Sequence, residues 1–210
     1  MLSVSQWSCR AVGVGAMVFA CTCLTSGGLV AQDGYTRIEE DWELVLSAPE
    51  PASGSPQISL DLAPEPDSPL AGIMLLNYRD APSFASGGVQ VQLWDGEQRL
   101  TSAGLPISPL DVENETITFT LYIERGSGNL RYGVKDGKCG DRISFGGGRL
   151  EVTYPDHKTT IDRYDSNHSL ENATIVLGAN RVELLRLRQV RKYRADGTGI
   201  DTESGKVVYP

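Results

Sequence analysis

Apolar and polar residues alternate with a period of two along much of the chain, which is typical of half-buried β-strands. The clearest example is segment 117–124, in which Ile, Phe, Leu and Ile alternate with Thr, Thr, Tyr and Glu. Segments 89–94, 130–134 and 150–154 repeat the pattern. Asp95-Gly96 and Asp136-Gly137 follow the first two of these segments, and such dipeptides favour hairpin turns. We therefore expect both strands to end there.

Further strands are predicted on either side of this regular region. Trp42–Leu46 is a first strand, and the apolar run Leu70–Tyr78 is short enough to be a buried strand. Six prolines between residues 49 and 69 predict loops around an edge strand at Ile58–Leu62, because proline cannot donate to a sheet ladder. A short strand at Lys206–Tyr209 ends the chain.

Segment Arg181–Tyr193 is the one ambiguous element. Its leucines at 184, 185 and 187 are compatible with a helix. A strand with a bulge near Leu184-Leu185 fits better, because Leu185 and Leu187 then face inward while the intervening arginines face outward.

Together these patterns predict nine or ten short strands and no helix. The turns between them are rich in Gly, Pro, Asn and Asp, and the chain contains 23 glycines. We therefore predict an all-β fold, namely an antiparallel β-sandwich.

Several of these segments also resemble a known group of proteins. Leu76-Asn77-Tyr78-Arg79, the run Gly87–Gly96 and Phe145-Gly146-Gly147 are similar to a pattern in small exported bacterial proteins of uncharacterised function. The strand layout over residues 42–195 resembles the concanavalin A-like lectin/glucanase jelly roll. The resemblance implies a jelly-roll sandwich, a fold that carries enzymes, sugar-binding proteins and plain scaffolds alike.

The first 31 residues are predicted to be a signal peptide. Arg10 makes the start basic, and the following stretch up to Gln32 is uncharged and ends in small residues. Cleavage after Gly28 or after Ala31 fits the pattern, which leaves one β-sandwich domain at residues 32–210. The expected location is secreted or extracytoplasmic, in a periplasm or at a cell surface, with no membrane span once the leader is removed.

Two other interpretations of the leader stay open. The uncharged stretch is long enough to remain as a membrane anchor, or Cys21 is acylated as in a lipoprotein. Three of the four cysteines lie within the leader, so the mature chain keeps only Cys139. It then forms no internal disulfide, and we expect Cys139 to be a buried apolar thiol.

The charge of the chain argues against nucleic acid as a partner. The formal net charge is −8, and it becomes −9 without the leader because Arg10 is the only charged residue there. Such a surface repels polyanions in general, although a local basic patch can still act.

One acidic motif has the spacing of a catalytic site. Glu39, Asp41 and Glu43 form a Glu-x-Asp-x-Glu pattern, which resembles the catalytic strand of retaining jelly-roll glucanases. Alternation on a strand aims the three side chains to one side, where two carboxylates can serve as nucleophile and acid/base. The alternative is an acidic, solvated lead-in to the first strand.

A calcium site is the one cofactor that the sequence suggests. Asp162, Asp165 and Asn167 lie in one turn-rich segment and offer the oxygen ligands that calcium prefers. The same residue types also favour turns without any metal.

Basic and aromatic residues supply the candidate ligand contacts. Arg186 and Arg188 belong to a late basic cluster that either binds an anionic polymer or neutralises the acidic segment 33–67. Trp94 and Tyr122 lie opposite the apolar faces of their strands, so both could be exposed and stack on sugar rings, or pack under a second layer.

These observations favour an exported, non-catalytic β-sandwich that binds carbohydrate or another extracellular polymer, such as a cell-surface polysaccharide. One alternative is a structural or protein-interaction component of the cell surface. A more distant alternative is a glycoside hydrolase that uses the Glu39–Glu43 segment.

Overall fold

Alternating apolar residues build two antiparallel sheets that pack face to face as a sandwich. The computed structural model describes residues 34–47, 56–76, 88–106, 116–141, 143–156 and 158–209. The predicted leader, residues 1–31 with Cys21, lies outside the described residues. The all-β sandwich predicted from the sequence is confirmed.

The larger sheet has seven strands, and its central pair is formed by the first strand of the fold and the strand predicted most clearly. Its members are β1 (Tyr35–Leu46), β6 (Thr116–Gly126), β7 (Asn129–Cys139), β8 (Ile143–Phe145), β9 (Glu151–Pro155), β11 (Val182–Arg194) and β12 (Gly199–Tyr209). The order is β12-β11-β1-β6-β7, and both β8 and β9 pair with β7.

The smaller sheet has five strands in the order β10-β2-β3-β4-β5. They are β2 (Gln57–Leu62), β3 (Leu70–Leu76), β4 (Val89–Asp95), β5 (Gln98–Leu105) and β10 (Thr174–Leu177). The expectation of no helix is wrong: α1 (Ser166–Asn172) contacts β2, and Asp165 caps its first turn. Short 3₁₀ turns at Gly148–Leu150 and Ala179–Arg181 complete the described elements.

The two Asp-Gly dipeptides behave differently. Asp95-Gly96 closes the predicted hairpin between β4 and β5, and Gly96 has the positive φ of 55° that such a turn requires. The predicted strand end at Asp136-Gly137 is wrong, because β7 continues to Cys139. Asp136 takes a φ of 54° there and forms a bulge within the strand.

Two further strand predictions need correction. Ile58–Leu62 is not an edge strand, because β2 is paired with β3 on one side and with β10 on the other. The edge strands of this sheet are β5 and the four-residue β10, and β10 is too short to show a clear alternation. The final strand starts at Gly199 rather than at Lys206.

The ambiguous segment is a strand, as preferred. Leu185 and Leu187 are buried in β11, and Arg186 points to the opposite side. The pairing with β1 skips Glu183, so a bulge lies beside Leu184 as predicted, and it also skips Arg188, where a second bulge was not predicted.

The core between the sheets is built on large inward-facing side chains. Trp42, Phe119 and Tyr132 of the seven-stranded sheet are almost completely buried, and so is Cys139, as predicted. The Tyr132 hydroxyl donates a hydrogen bond to the carbonyl oxygen of Gly72 in the opposite sheet. A glycine at position 72 thus leaves the space that the Tyr132 ring occupies.

Replacing Gly72 with alanine should destabilise the protein by at least about 2 kcal/mol, because overpacking a rigid core forces side chains off their preferred rotamers. A Cβ atom at Gly72 would lie 2.1 Å from the ring of Tyr132. Urea unfolding of the variant measures the loss. Gly148→Ala is the control, since nothing lies within 4 Å of its added Cβ. An equal loss of stability in the two variants would contradict the close packing of Tyr132 against Gly72.

Candidate functional site

The acidic motif lies in the middle of β1, on the outer surface of the seven-stranded sheet. Glu39, Asp41 and Glu43 share this surface, whereas Glu40 and Trp42 point into the core. The three outward carboxylates face the outward residues of β6 on one side and of β11 on the other. We call this outer surface the charged face.

Glu39 is the most buried carboxylate of the charged face, with only 2% of its surface exposed. Lys135 Nζ lies 2.6 Å from its Oε1 and Arg37 Nε lies 2.7 Å away. Arg191 Nη2 and the Tyr193 hydroxyl lie 3.0 and 3.1 Å from its Oε2. Burial alone would raise the pKa of Glu39, but the hydrogen bond from Lys135 and the surrounding cations hold it below its ordinary value.

Asp41 and Glu43 are also paired with arginines of β11. The Arg191 guanidinium binds both oxygens of Asp41, and Thr120 Oγ1 donates to Asp41 Oδ1 at 2.6 Å. Arg186 Nε donates to Glu43 Oε2 at 2.5 Å. Arg186 and Arg191 of the basic cluster therefore neutralise three carboxylates of the acidic segment, those of Glu39, Asp41 and Glu43, and neutralisation is one of the two roles predicted for the cluster.

This pairing argues against the glycoside-hydrolase alternative. Such an enzyme needs one carboxyl group whose raised pKa lets it hold a proton as general acid. The pKa of Glu39 is shifted in the opposite direction. The neighbouring carboxyl group with a raised pKa is that of Glu40, which faces the core rather than the charged face.

Glu40 is completely buried between the sheets. Trp42 Nε1 donates to its Oε2 at 2.9 Å, and the Tyr164 hydroxyl donates to its Oε1. Burial raises the pKa of Glu40 to about 7, although these donors favour the charged form. The interpretation of the acidic segment as a solvated lead-in is therefore wrong for Glu39 and Glu40, which are both buried.

Two bulges interrupt the charged face at the same level of the sheet. Arg188 is the extra residue of β11 opposite the Asp41–Trp42 step. In β7, the two residues Asp136 and Gly137 oppose the single residue Phe119 of β6, which itself pairs with Trp42. Because bulges bend a strand and redirect its side chains, the two together open a depression across β1 and β6.

One cavity lies in this depression, and a second cavity shares part of its lining along β7 and β8. The first has a volume of about 340 Å³ and is lined by Asp41, Trp42, Thr118, Phe119, Thr120, Asp136, Lys138, Arg188 and Arg191. The second has a volume of about 430 Å³ and is lined by Lys135, Asp136, Gly137, Lys138, Ser144, Phe145, Gly146 and Gly147. They share Asp136 and Lys138, and we call the two cavities together the groove.

The groove contains some of the residues predicted from the sequence. Arg188 and Asp41 line it, whereas Arg186 lies on the same strand and is bound to Glu43. Asp136, Lys138 and the segment 144–147 were not predicted as site residues. The sequence signals in this region are the Asp136-Gly137 dipeptide, which indicates a turn as readily as a bulge, and Phe145-Gly146-Gly147, which belongs to the resemblance and indicates no ligand contact.

The two predicted aromatic contacts do not form one row. Tyr122 lies on the charged face, but it is only 5% exposed, donates to Glu151 and has Arg37 4.9 Å from its ring centre. Its expected exposure is therefore wrong. Trp94 belongs to the five-stranded sheet, where it is half-buried on the outer surface and its Nε1 donates to Gln92 at 2.8 Å.

The proposed calcium ligands each have a structural partner instead. Asp162 Oδ1 accepts from the Tyr35 amide at 2.7 Å. Asp165 accepts from the amide of Asn167 at 2.9 Å, and Asn167 in turn accepts from Lys206 at 2.8 Å. Among the described residues, no group of three or more His, Cys, Asp or Glu side chains converges on a possible metal site.

Comparisons with known proteins add no assignment. No protein-family model matches the chain, and no curated protein matches it. Within the ranges that the structure describes, no helix has the length and apolar character needed to cross a bilayer. Function must therefore be inferred from the groove and its chemistry.

Proposed function

We propose that the protein is an exported, non-catalytic β-sandwich that binds a carbohydrate or another extracellular polymer in the groove. The resemblance to concanavalin A-like jelly rolls and the signal-peptide pattern support this proposal. The paired carboxylates of the charged face support a binding role over a catalytic one.

The observation that carries the proposal is the division of the groove into two adjoining cavities. Each volume is near the lower end of the range for ligand pockets, about 300–1,000 Å³. Two such cavities joined at Asp136 and Lys138 suit consecutive units of a chain better than one compact molecule. Outward-facing side chains of the seven-stranded sheet line both cavities, for example Thr118 in the first and Ser144 in the second.

The lining of the groove also suits a hydroxyl-rich ligand. Thr118 and Ser144 contribute hydroxyl groups, and Gly146 and Gly147 bring the main chain to the surface of the second cavity. Such groups donate and accept hydrogen bonds. The apolar side chains of Phe119 and Phe145 are almost fully buried beneath, so recognition must depend on polar contacts.

Affinity electrophoresis through gels containing soluble polysaccharides tests the proposal. The protein should be retarded by at least one polymer, and Ser144→Trp should weaken that binding at least about tenfold, because the indole fills the second cavity. Ser102→Trp is the matched control, since Ser102 is also an exposed serine but lies on β5 of the other sheet.

Two results would overturn the proposal. If no polysaccharide retards the protein, a structural or protein-interaction role at the cell surface becomes the better explanation. If Ser102→Trp weakens binding as much as Ser144→Trp, the polymer binds to the five-stranded sheet, where Trp94 lies, and the groove is not the site.

A further inference from the structure

The lining of the groove holds more cationic than acidic side chains, although the protein is strongly acidic overall. Its two cavities are lined by four cations and two carboxylates, whereas the whole chain carries a formal net charge of −8. The cations are Lys135, Lys138, Arg188 and Arg191, and the carboxylates are Asp41 and Asp136. This local reversal of sign favours an anionic ligand.

The four cations are not equivalent. Arg191 binds Asp41 and Glu39 directly, and Lys135 also binds Glu39. Both therefore hold the charged face together. Their charge is largely compensated within the protein, which leaves little of it for a ligand.

Arg188 and Lys138 are better placed to contact a ligand. The side chain of Arg188 is 53% exposed, and Glu43 Oε2 lies 3.8 Å from its Nε, too far for a hydrogen bond. Lys138 is exposed on β7, and it belongs to the wall shared by the two cavities. Both residues also line the first cavity, so their charges converge on the same space.

We propose that the groove binds an acidic polysaccharide, whose carboxylate or sulfate groups contact Arg188 and Lys138. This inference rests on the proposed function and specifies its substrate class. The planar guanidinium of Arg188 presents two parallel N–H donors that match the oxygens of a carboxylate or a sulfate. Lys138 adds a compact charge that neutralises an acidic group bound beside it.

The same charges would attract a single-stranded nucleic acid, but the lining favours a polysaccharide. Nucleic-acid channels stack bases on exposed aromatic rings. The aromatic residues of the groove are Trp42, Phe119 and Phe145, and they are 0%, 2% and 6% exposed. Thr118 and Ser144 offer hydroxyl groups in their place, which suit the hydroxyls of sugar units.

Affinity electrophoresis with dextran and dextran sulfate tests this directly, because the two polymers share a backbone and differ in sulfate groups. Polygalacturonate supplies carboxylates, and single-stranded DNA supplies phosphates. We expect binding to dextran sulfate or polygalacturonate, no binding to dextran, and weaker binding as salt is raised, because salt screens exposed charges. Comparison of the two acidic polymers distinguishes sulfate from carboxylate recognition.

Charge-removing variants locate the contacts. Arg188→Ala and Lys138→Ala should each weaken binding to the acidic polymer about tenfold, as expected for loss of a charge-assisted hydrogen bond. Arg163→Ala is the matched control. It removes the same charge from a side chain that is 69% exposed, but Arg163 pairs with Glu65 and lies outside the groove lining.

The outcomes separate this inference from the proposed function. Binding to dextran alone would overturn the acidic class and leave polymer binding intact, whereas binding to none of the polysaccharides would overturn both. DNA binding as tight as polysaccharide binding would contradict the substrate class. If Arg163→Ala weakens binding to the acidic polymer as much as Arg188→Ala and Lys138→Ala do, binding depends on the total charge of the protein. That result would overturn the roles of Arg188 and Lys138.

Discussion

Replacing Glu40 with glutamine should stabilise the protein at pH 8 by roughly 3 kcal/mol and change its stability little at pH 4.5. Burial raises the pKa of Glu40 to about 7 from an ordinary value of 4.5. The folded state therefore prefers the neutral acid. Its contribution to stability is complete below about pH 4.5, declines as the pH rises, and is lost above pH 7.

Glutamine reproduces the neutral form of Glu40. Its carbonyl oxygen can accept from Trp42 Nε1, and its amide can donate to the hydroxyl oxygen of Tyr164, which then acts as acceptor. Urea unfolding of both proteins between pH 4.5 and 8 gives the difference in stability. A difference that is independent of pH would contradict the raised pKa.

Glu43→Gln is the control for this pH series. Glu43 also lies on β1, but it faces outward and is bound to Arg186. Loss of that ion pair should lower stability at neutral pH by no more than about 1 kcal/mol. Stabilisation of both variants at pH 8 would show that the effect comes from total charge rather than from burial of Glu40.

Replacing Arg191 with alanine should destabilise the protein by about 2–4 kcal/mol at neutral pH. The guanidinium binds Asp41 through both oxygens and also contacts Glu39, which is almost fully buried. Its removal leaves a buried carboxylate with less compensation, and breaking such a network is costly. The pKa of Glu39 should rise toward its ordinary value in the variant.

Arg188→Ala is the matched comparison on the same strand. The side chain of Arg188 is about half exposed and makes only a distant ion pair with Glu43, so its loss should change stability by less than about 0.5 kcal/mol. Chemical denaturation of both variants is the measurement. Similar stabilities for the two variants would contradict the assignment of Arg191 to structure and of Arg188 to the ligand.

The fold could be predicted from the sequence because alternation fixes which side of a strand faces the core. The segment 117–124 has the predicted inward and outward sides in β6. The period of two does not reveal where a strand irregularity lies, so Asp136-Gly137 by itself predicts a turn. The prolines around β2 predict an edge strand, because the sequence does not show that β10 pairs with its other side.

The groove was only partly predictable for a related reason. Arg188 stood out because it belongs to a basic cluster in an acidic chain. Lys138 and Ser144 carry no local signal, because they reach the groove through the pairing of β7 with β8. Tyr122 was misjudged because alternation identifies a side of the sheet but cannot show that Glu151 and Arg37 cover that side.

Mapping the bound ligand by NMR shows directly whether the polymer occupies the groove. The ¹⁵N-labelled protein is titrated with an oligosaccharide of the polymer that retards it in gels. We expect amide shifts concentrated at residues 118–120, 136–138, 144–147 and 186–191, which surround the groove. Shifts concentrated at residues 71–75 and 90–94 of the five-stranded sheet would contradict binding in the groove.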